Sequence, residues 1–208
     1  RVADLRRCRE TIEDLRQRRA EQRVHERHDA DHEGLVGESG SGKSTIALRC
    51  LNDGLLSLGD DYCLLSVNAQ PVVYSLYCSG KIHRAELERF PRLQQALTTA
   101  PYAYADKQLY FFHERFGAQI VRQLPMRAVL IPTISGEPNT QLKPASPAEA
   151  LVAVAPSTTF QLPGAHTQTI RQLSQVLCQV PCYWLVLGTE LARIPPVIEK
   201  LLNSNEYK

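Results

Sequence analysis

Beyond about residue 34 the apolar positions fall into short runs with recognisable periods, and each run predicts an element. Ser44 to Asn52 reads as a helix that stops at Asp53-Gly54, with the glycine as its C-cap signal. Leu55 to Leu58 is a short apolar strand candidate. Tyr62 to Val67 and Val72 to Tyr77 alternate as strands around Asn68-Ala69-Gln70-Pro71, which predicts a hairpin. Ile82 to Phe90 and Arg92 to Leu97 read as helices separated by Pro91, and Gln108 to Phe112 and Arg127 to Pro132 as strands. A further strand is expected near Thr140 to Lys143. Ser146-Pro147-Ala148-Glu149 has the spelling of a capped helix start, with serine at the N-cap, proline at N1 and glutamate at N3. That helix should stop near Val154, before Pro156. His166 to Cys178 is amphipathic, Tyr183 to Leu187 is a buried strand, and Ile194 to Leu202 is a last helix. Strands and helices alternate, yet several neighbouring strands look hairpin-linked. The fold class expected is therefore α/β with a mixed sheet.

The first 33 residues follow another rule. About half of them are charged, with both signs nearly balanced. Val2, Leu5, Cys8, Ile12 and Leu15 trace a thin apolar stripe that fades afterwards, too short to sustain a coiled coil. The reading is a charged, helical N-terminal extension over 1–33, followed by one domain over 34–208.

Between these two regions lies Gly37-Glu38-Ser39-Gly40-Ser41-Gly42-Lys43-Ser44, followed by Thr45. This is G-x-x-x-x-G-K-[ST], the phosphate-binding P-loop, and it opens the first helix. Glycines and small serines let backbone N–H groups close round a phosphate chain, and the helix N-terminus behind them favours negative charge. Lys43 is expected on the β- and γ-phosphates and the Ser44 hydroxyl on Mg²⁺. A chance match in a chain of this length is on the order of one in a hundred. P-loops hang from a buried strand, but only Leu35 and Val36 suit one here, so that strand is expected to be very short or absent in its usual form.

Composition narrows the partners. Of 208 residues, 43% are hydrophobic and 22% charged, enough to bury a core, and the net charge of +2 gives no general attraction to nucleic acid or membranes. No run of about eighteen apolar residues offers a membrane span. The six cysteines lack metal-ligand spacing and read as free thiols of a cytoplasmic protein. Tyr102, Tyr104, Tyr110, Phe111 and Phe112 read as core, and Lys81, His83, Arg84 and Lys107 either as groups that face phosphate or, the favoured reading, as exposed loop charges.

Asp60 and Asp61 form the second constellation, 17 residues after Lys43 and directly behind the Leu55–Leu58 strand candidate. The carboxyl end of a strand is where α/β sheets hold ligands. One carboxylate there can hold Mg²⁺ while its neighbour takes a proton from an attacking hydroxyl. Adjacent strand residues point to opposite faces, so a bend at Gly59 is needed if both are to serve one site.

With these residues in view, the sequence resembles a known family. The P-loop, the helix ending Leu51-Asn52-Asp53-Gly54, and Leu58-Gly59-Asp60-Asp61-Tyr62 look like the C-terminal domain of HPr serine kinase/phosphorylase. That group shares a nucleotide-binding core with phosphoenolpyruvate carboxykinases. Ser146-Pro147-Ala148-Glu149-Ala150-Leu151 and Val180-Pro181-Cys182-Tyr183-Trp184-Leu185 resemble HPr-kinase-like proteins found beside peptide-modification genes. The resemblance runs from about Gly34 to Leu202. It implies a phosphoenolpyruvate carboxykinase/HPr kinase-like P-loop fold and ATP-dependent phosphorylation of a serine on a small protein or peptide. Lys43 would then bind phosphate and act in catalysis, Asp60 would be the general base, and Ser44 and Asp61 would hold Mg²⁺. The family's histidine ahead of the P-loop strand and its basic, glycine-containing signature have no counterpart that can be placed here.

The cofactors expected are ATP and Mg²⁺, and the partner a serine-bearing protein or peptide, with homo-oligomerisation left open. The alternative reading is a catalytically inactive ATP-binding regulatory protein. A motor or transporter ATPase is disfavoured, because the chain has no long apolar strand ending in Asp-Glu and no signature of the Leu-Ser-Gly-Gly-Gln type.

Overall fold

The structure is a computed structural model that describes residues 33–35, 40–96, 103–104, 107–112, 116–159 and 166–204. The chain divides into two units, Arg1–Ala30 and Asp31–Lys208, and every described residue belongs to the second. The expected N-terminal helix lies outside the described residues, as do Gly37, Glu38 and Ser39 of the P-loop.

Ten strands and five α-helices are described, β1 (Glu33–Leu35), α1 (Lys43–Asn52), β2 (Cys63–Leu65), β3 (Val72–Ser75), β4 (Ser79–His83), α2 (Pro91–Ala96), β5 (Ala103–Tyr104), β6 (Lys107–Phe111), β7 (Gln123–Pro125), β8 (Ala128–Ile134), β9 (Gln141–Ala145), α3 (Pro147–Thr159), α4 (His166–Leu177), β10 (Cys182–Leu187) and α5 (Ile194–Leu202). Short 3₁₀ turns cover Arg84–Arg89 and Leu191–Arg193. The main sheet has the order β1-β8-β10-β9. The first three strands are parallel and β9 is antiparallel, so the sheet is mixed, as expected. Two smaller antiparallel sheets run β2-β3-β7 and β4-β6-β5.

The core explains this layering. In β8 both faces are buried, as a central parallel strand requires, and the run Ala-Val-Leu-Ile is apolar throughout. Ala128 and Leu130 join Leu185 and Leu187 of β10 on one face, covered by Ile46 and Cys50 of α1 and by Ile194, Ile198 and Leu201 of α5. Val129 and Ile131 join Cys182 on the other, under Ala150 and Val154 of α3 and Leu177 of α4. Helix α1 has a second buried side. Leu48 and Leu51 pack with Ile82, Phe90, Tyr110, Phe112 and Phe116, so α1 is held between the main sheet and the β4–β6 sheet. Its amphipathic stripe is wide because it serves two cores.

Several expectations need correction. Leu55–Leu58 forms no strand beyond a single parallel bridge from Ser57 to Ile120. Ile82 begins no helix: Gly80 and Ile82 point inward while Lys81 and His83 point out, a two-residue period that belongs to β4. Pro91 starts α2 rather than separating two helices. Helix α3 continues through Pro156 to Thr159. The missing N–H there would have met the carbonyl of Val152, on a face where the Val152 side chain is 73% exposed, so water can take the carbonyl. Tyr110 and Phe112 are core as expected, but Phe111 is 39% exposed, and Tyr102 lies outside the described residues. None of the five described cysteines is in a disulfide, and Cys8 lies outside the described residues. Among the described residues no helix is long and apolar enough to cross a membrane.

Candidate functional site

The P-loop strand exists in reduced form. β1 has three residues and pairs in parallel with β8, Leu35 opposite Leu130. At the far end of the loop Gly42 takes φ +95°, and a Cβ there would sit 3.1 Å from Leu187 Cδ1 at the end of β10. Gly42 is also the N-cap of α1, and the Ile46 N–H donates to its carbonyl over 2.9 Å. No side chain caps the helix. Its first amides therefore stand at the carboxyl ends of parallel strands, where α/β sheets take ligands. The Lys43 Nζ donates to Ser41 Oγ at 3.5 Å.

From α1 the chain turns back at Gly54 and reaches Gly59, whose φ is +151°. A Cβ at Gly59 would lie 2.5 Å from the Tyr77 carbonyl oxygen, so only glycine fits. This is the bend anticipated between the Asp pair and the chain before it. The Ser75 hydroxyl fixes the approach by donating to the Leu58 carbonyl over 2.5 Å.

Beyond the bend the two aspartates diverge. Asp60 is half-buried, its carboxylate accepts a hydrogen bond from the Lys81 N–H at 3.4 Å, and the Ser44 hydroxyl lies near enough to favour its ionised form. Asp61 is exposed and lies 3.9 Å from Lys81 Nζ. Burial pushes the Asp60 carboxyl above its ordinary range and the charge of Asp61 adds to this, while the Ser44 hydroxyl, the Lys81 hydrogen bond and the Lys107 charge pull the other way. Ser44 and Asp60 are thus brought together, with Asp61 beside them on the solvent side.

Strand pairing places two further features at the site. Lys81 and Lys107, expected as exposed loop charges or as groups facing phosphate, stand on β4 and β6 beside the aspartates. The alternation of Gly80 and Ile82 against Lys81 and His83 is the signal that places them. Tyr110, opposite Gly80 across the β4–β6 pair, is 2% exposed, and its hydroxyl has no hydrogen-bond partner among the described residues. A Cβ on Gly80 would meet that hydroxyl at 2.5 Å. Burial raises the Tyr110 phenol, and the charges of Asp60 and Asp61 raise it further, so it remains protonated.

The donor chemistry suits a magnesium ion that arrives with a nucleotide. One hydroxyl and one or two carboxylates are hard oxygen ligands, which Mg²⁺ usually supplements with water and phosphate oxygens. Among the described residues no group of three His, Cys, Asp or Glu side chains could hold a metal alone.

No family model and no curated protein matches the chain. Among solved structures it is similar to the Hpr(Ser) kinase/phosphatase from Coxiella burnetii, at 15% sequence identity and a TM-score of 0.40, over 80% of this chain and 82% of that one.

Proposed function

We propose that the protein is an ATP-dependent kinase that phosphorylates a serine on a small protein or peptide. The observation that carries this reading is the P-loop helix start at Ser44 with the half-buried Asp60 brought near it by the Gly59 bend. A P-loop alone binds phosphate. A half-buried carboxylate near its serine adds a group that can take a proton beside the γ-phosphate.

The residues divide the work. The loop glycines and the N-terminus of α1 would hold the phosphate chain, with Gly37, Glu38, Ser39, Gly40, Ser41, Gly42 and Thr45 forming the cradle. Lys43 would neutralise charge on the β- and γ-phosphates. Ser44 and Asp61 would hold Mg²⁺, which supplies charge neutralisation at the transferred phosphoryl group. Asp60 would accept the proton of the acceptor hydroxyl, and burial, which raises its proton affinity, suits that role.

A second assignment within the same reading exchanges the two aspartates, because a carboxylate near Ser44 also suits sharing that serine's ion. Replacing each by asparagine separates them. Loss of the base slows transfer at unchanged Mg²⁺ dependence, whereas loss of the ligand raises the Mg²⁺ requirement. The nucleotide claim is tested by equilibrium binding of a non-hydrolysable ATP analogue. Binding should require Mg²⁺ and fall at least tenfold in Lys43→Ala, about the loss of one charge-assisted hydrogen bond. Equal affinity in that variant would remove the P-loop from the account.

A further inference from the structure

The surface next to the aspartates carries two chemically opposite patches. One is the outward face of β2 and β3, where Leu64 pairs directly with Tyr74. Tyr62 just before β2 and Leu76 and Tyr77 just after β3 extend the same patch. All five side chains are between 37% and 56% exposed, and the Tyr62 and Tyr77 rings meet edge to face at 5.9 Å. A cluster of large apolar side chains is unusual on a surface that meets only water. It also abuts the site. Tyr62 follows Asp61 in sequence, and Gly59 packs against the Tyr77 carbonyl.

The other is a cationic row. Lys81, His83 and Lys107 are exposed on β4 and β6, His83 pairs with Lys107 in the register, and Arg84 follows, also exposed. Lys81 reaches Asp61, and the Lys107 charge is felt at Asp60. Asp60 and Asp61 therefore adjoin both an apolar patch and a basic one.

We propose that this surface docks the phosphoacceptor as a polypeptide with apolar side chains on one side of its serine and acidic side chains on the other, an inference that rests on the kinase reading above. Charge complementarity selects the occupant. A partner that covered only the aromatic face would leave the basic row unused, whereas an apolar–serine–acidic segment matches both patches and the aspartates. The apolar half supplies burial, and the acidic half supplies register and attraction at low salt.

The test uses the full chain and a fluorescent peptide, Leu-Phe-Leu-Gly-Ala-Gly-Glu-Asp-Glu, with its reversed sequence and a shuffled one of the same composition. Alanine in place of serine lets binding be read by anisotropy without transfer. One of the two ordered peptides should bind at least tenfold more tightly than the shuffled one. Leu64→Ser combined with Tyr74→Ser should weaken it about tenfold, the loss expected for partly buried side chains. Lys81→Glu with Lys107→Glu should weaken it similarly and flatten its salt dependence. Val152→Ser, on α3, should change nothing. Equal binding of ordered and shuffled peptides by the wild-type chain overturns the proposal, and this comparison needs no variant to fold. So does wild-type affinity in the Leu64/Tyr74 variant, or sedimentation showing that those two residues instead hold two copies of the chain together. The serine version with labelled ATP keeps the two claims apart. Ordered binding without label supports docking and refutes the kinase, whereas equal labelling of ordered and shuffled peptides supports the kinase and overturns docking.

Discussion

Gly59→Ala tests the geometry that brings Asp60 to Ser44. At φ +151° a residue with a Cβ pays for a sparsely populated backbone region, about 1–3 kcal/mol. The new Cβ would also lie 2.5 Å from the Tyr77 carbonyl oxygen, which is backbone and cannot rotate away. Relief requires moving the β3–β4 connection, and overpacking of this kind costs about 1–3 kcal/mol. The sum is about 2–6 kcal/mol, a large part of an ordinary domain's stability. Gly54→Ala is the matched control, since its φ is +108° but nothing lies within 4 Å of the added Cβ. Its cost should be conformational alone, about 1–2 kcal/mol. Urea denaturation of both variants gives the comparison. Gly59→Ala should be clearly the less stable, and where it still folds it should transfer phosphoryl more slowly at nearly unchanged analogue affinity, because the bend no longer sets Asp60 beside the P-loop serine. Equal destabilisation of the two variants would show that the contact with Tyr77 does not constrain the bend.

Two further outcomes come from other parts of the fold. Glu149 accepts hydrogen bonds from the Ser146 N–H and hydroxyl, both at 2.7 Å, and from the Trp184 indole at 3.1 Å. These bonds hold its pKa below the ordinary value of 4.5, the Ser146 backbone bond contributing most. The folded pKa is depressed, so the stabilisation is complete above the unfolded value and is lost as pH falls through the folded one. Trp184 is the sole tryptophan, so its emission should shift with a midpoint below 4.5, and a midpoint above 4.5, or one that persists in Glu149→Gln, would contradict the linkage. Tyr110→Phe removes a buried hydroxyl that has no partner among the described residues. It should leave stability unchanged or raise it by about 1 kcal/mol in denaturant, and a loss of more than that would mean the hydroxyl is bonded in solution.

The central strands of the main sheet and the helices on it were readable where one signal dominates. The Ile194–Leu202 helix carries an apolar stripe, Ala128–Ile134 is apolar on both faces, and Ser146-Pro147-Ala148-Glu149 forms the capping box it spells. The peripheral sheets were harder. β7 and β5 went unread because three- and two-residue strands show no period, and β4 was mistaken for helix because Ile82, Leu87 and Phe90 all feed one core at mixed spacing. At the site, the P-loop glycines and the Asp pair could be read as motifs. The placement of Asp60 near Ser44 could not, because it depends on α1 being fixed between two sheets and on the backbone at Gly59. The placement of Lys81 and Lys107 next to the aspartates was not legible for the same reason: it is set by strand pairing rather than by neighbours in sequence.

The central claim is that Asp60, held near the P-loop serine, serves phosphoryl transfer to a hydroxyl. Single-turnover transfer from labelled ATP to the serine peptide, in the wild-type chain and in Asp60→Asn, tests it most directly when analogue affinity is measured alongside. The wild type should form phosphoserine. The variant should be slower by about 10²–10⁴, the usual contribution of a general base, with nucleotide affinity within a few-fold of wild type. Transfer at the wild-type rate in Asp60→Asn, or nucleotide binding by the wild type with no phosphoserine on either ordered peptide, would contradict it.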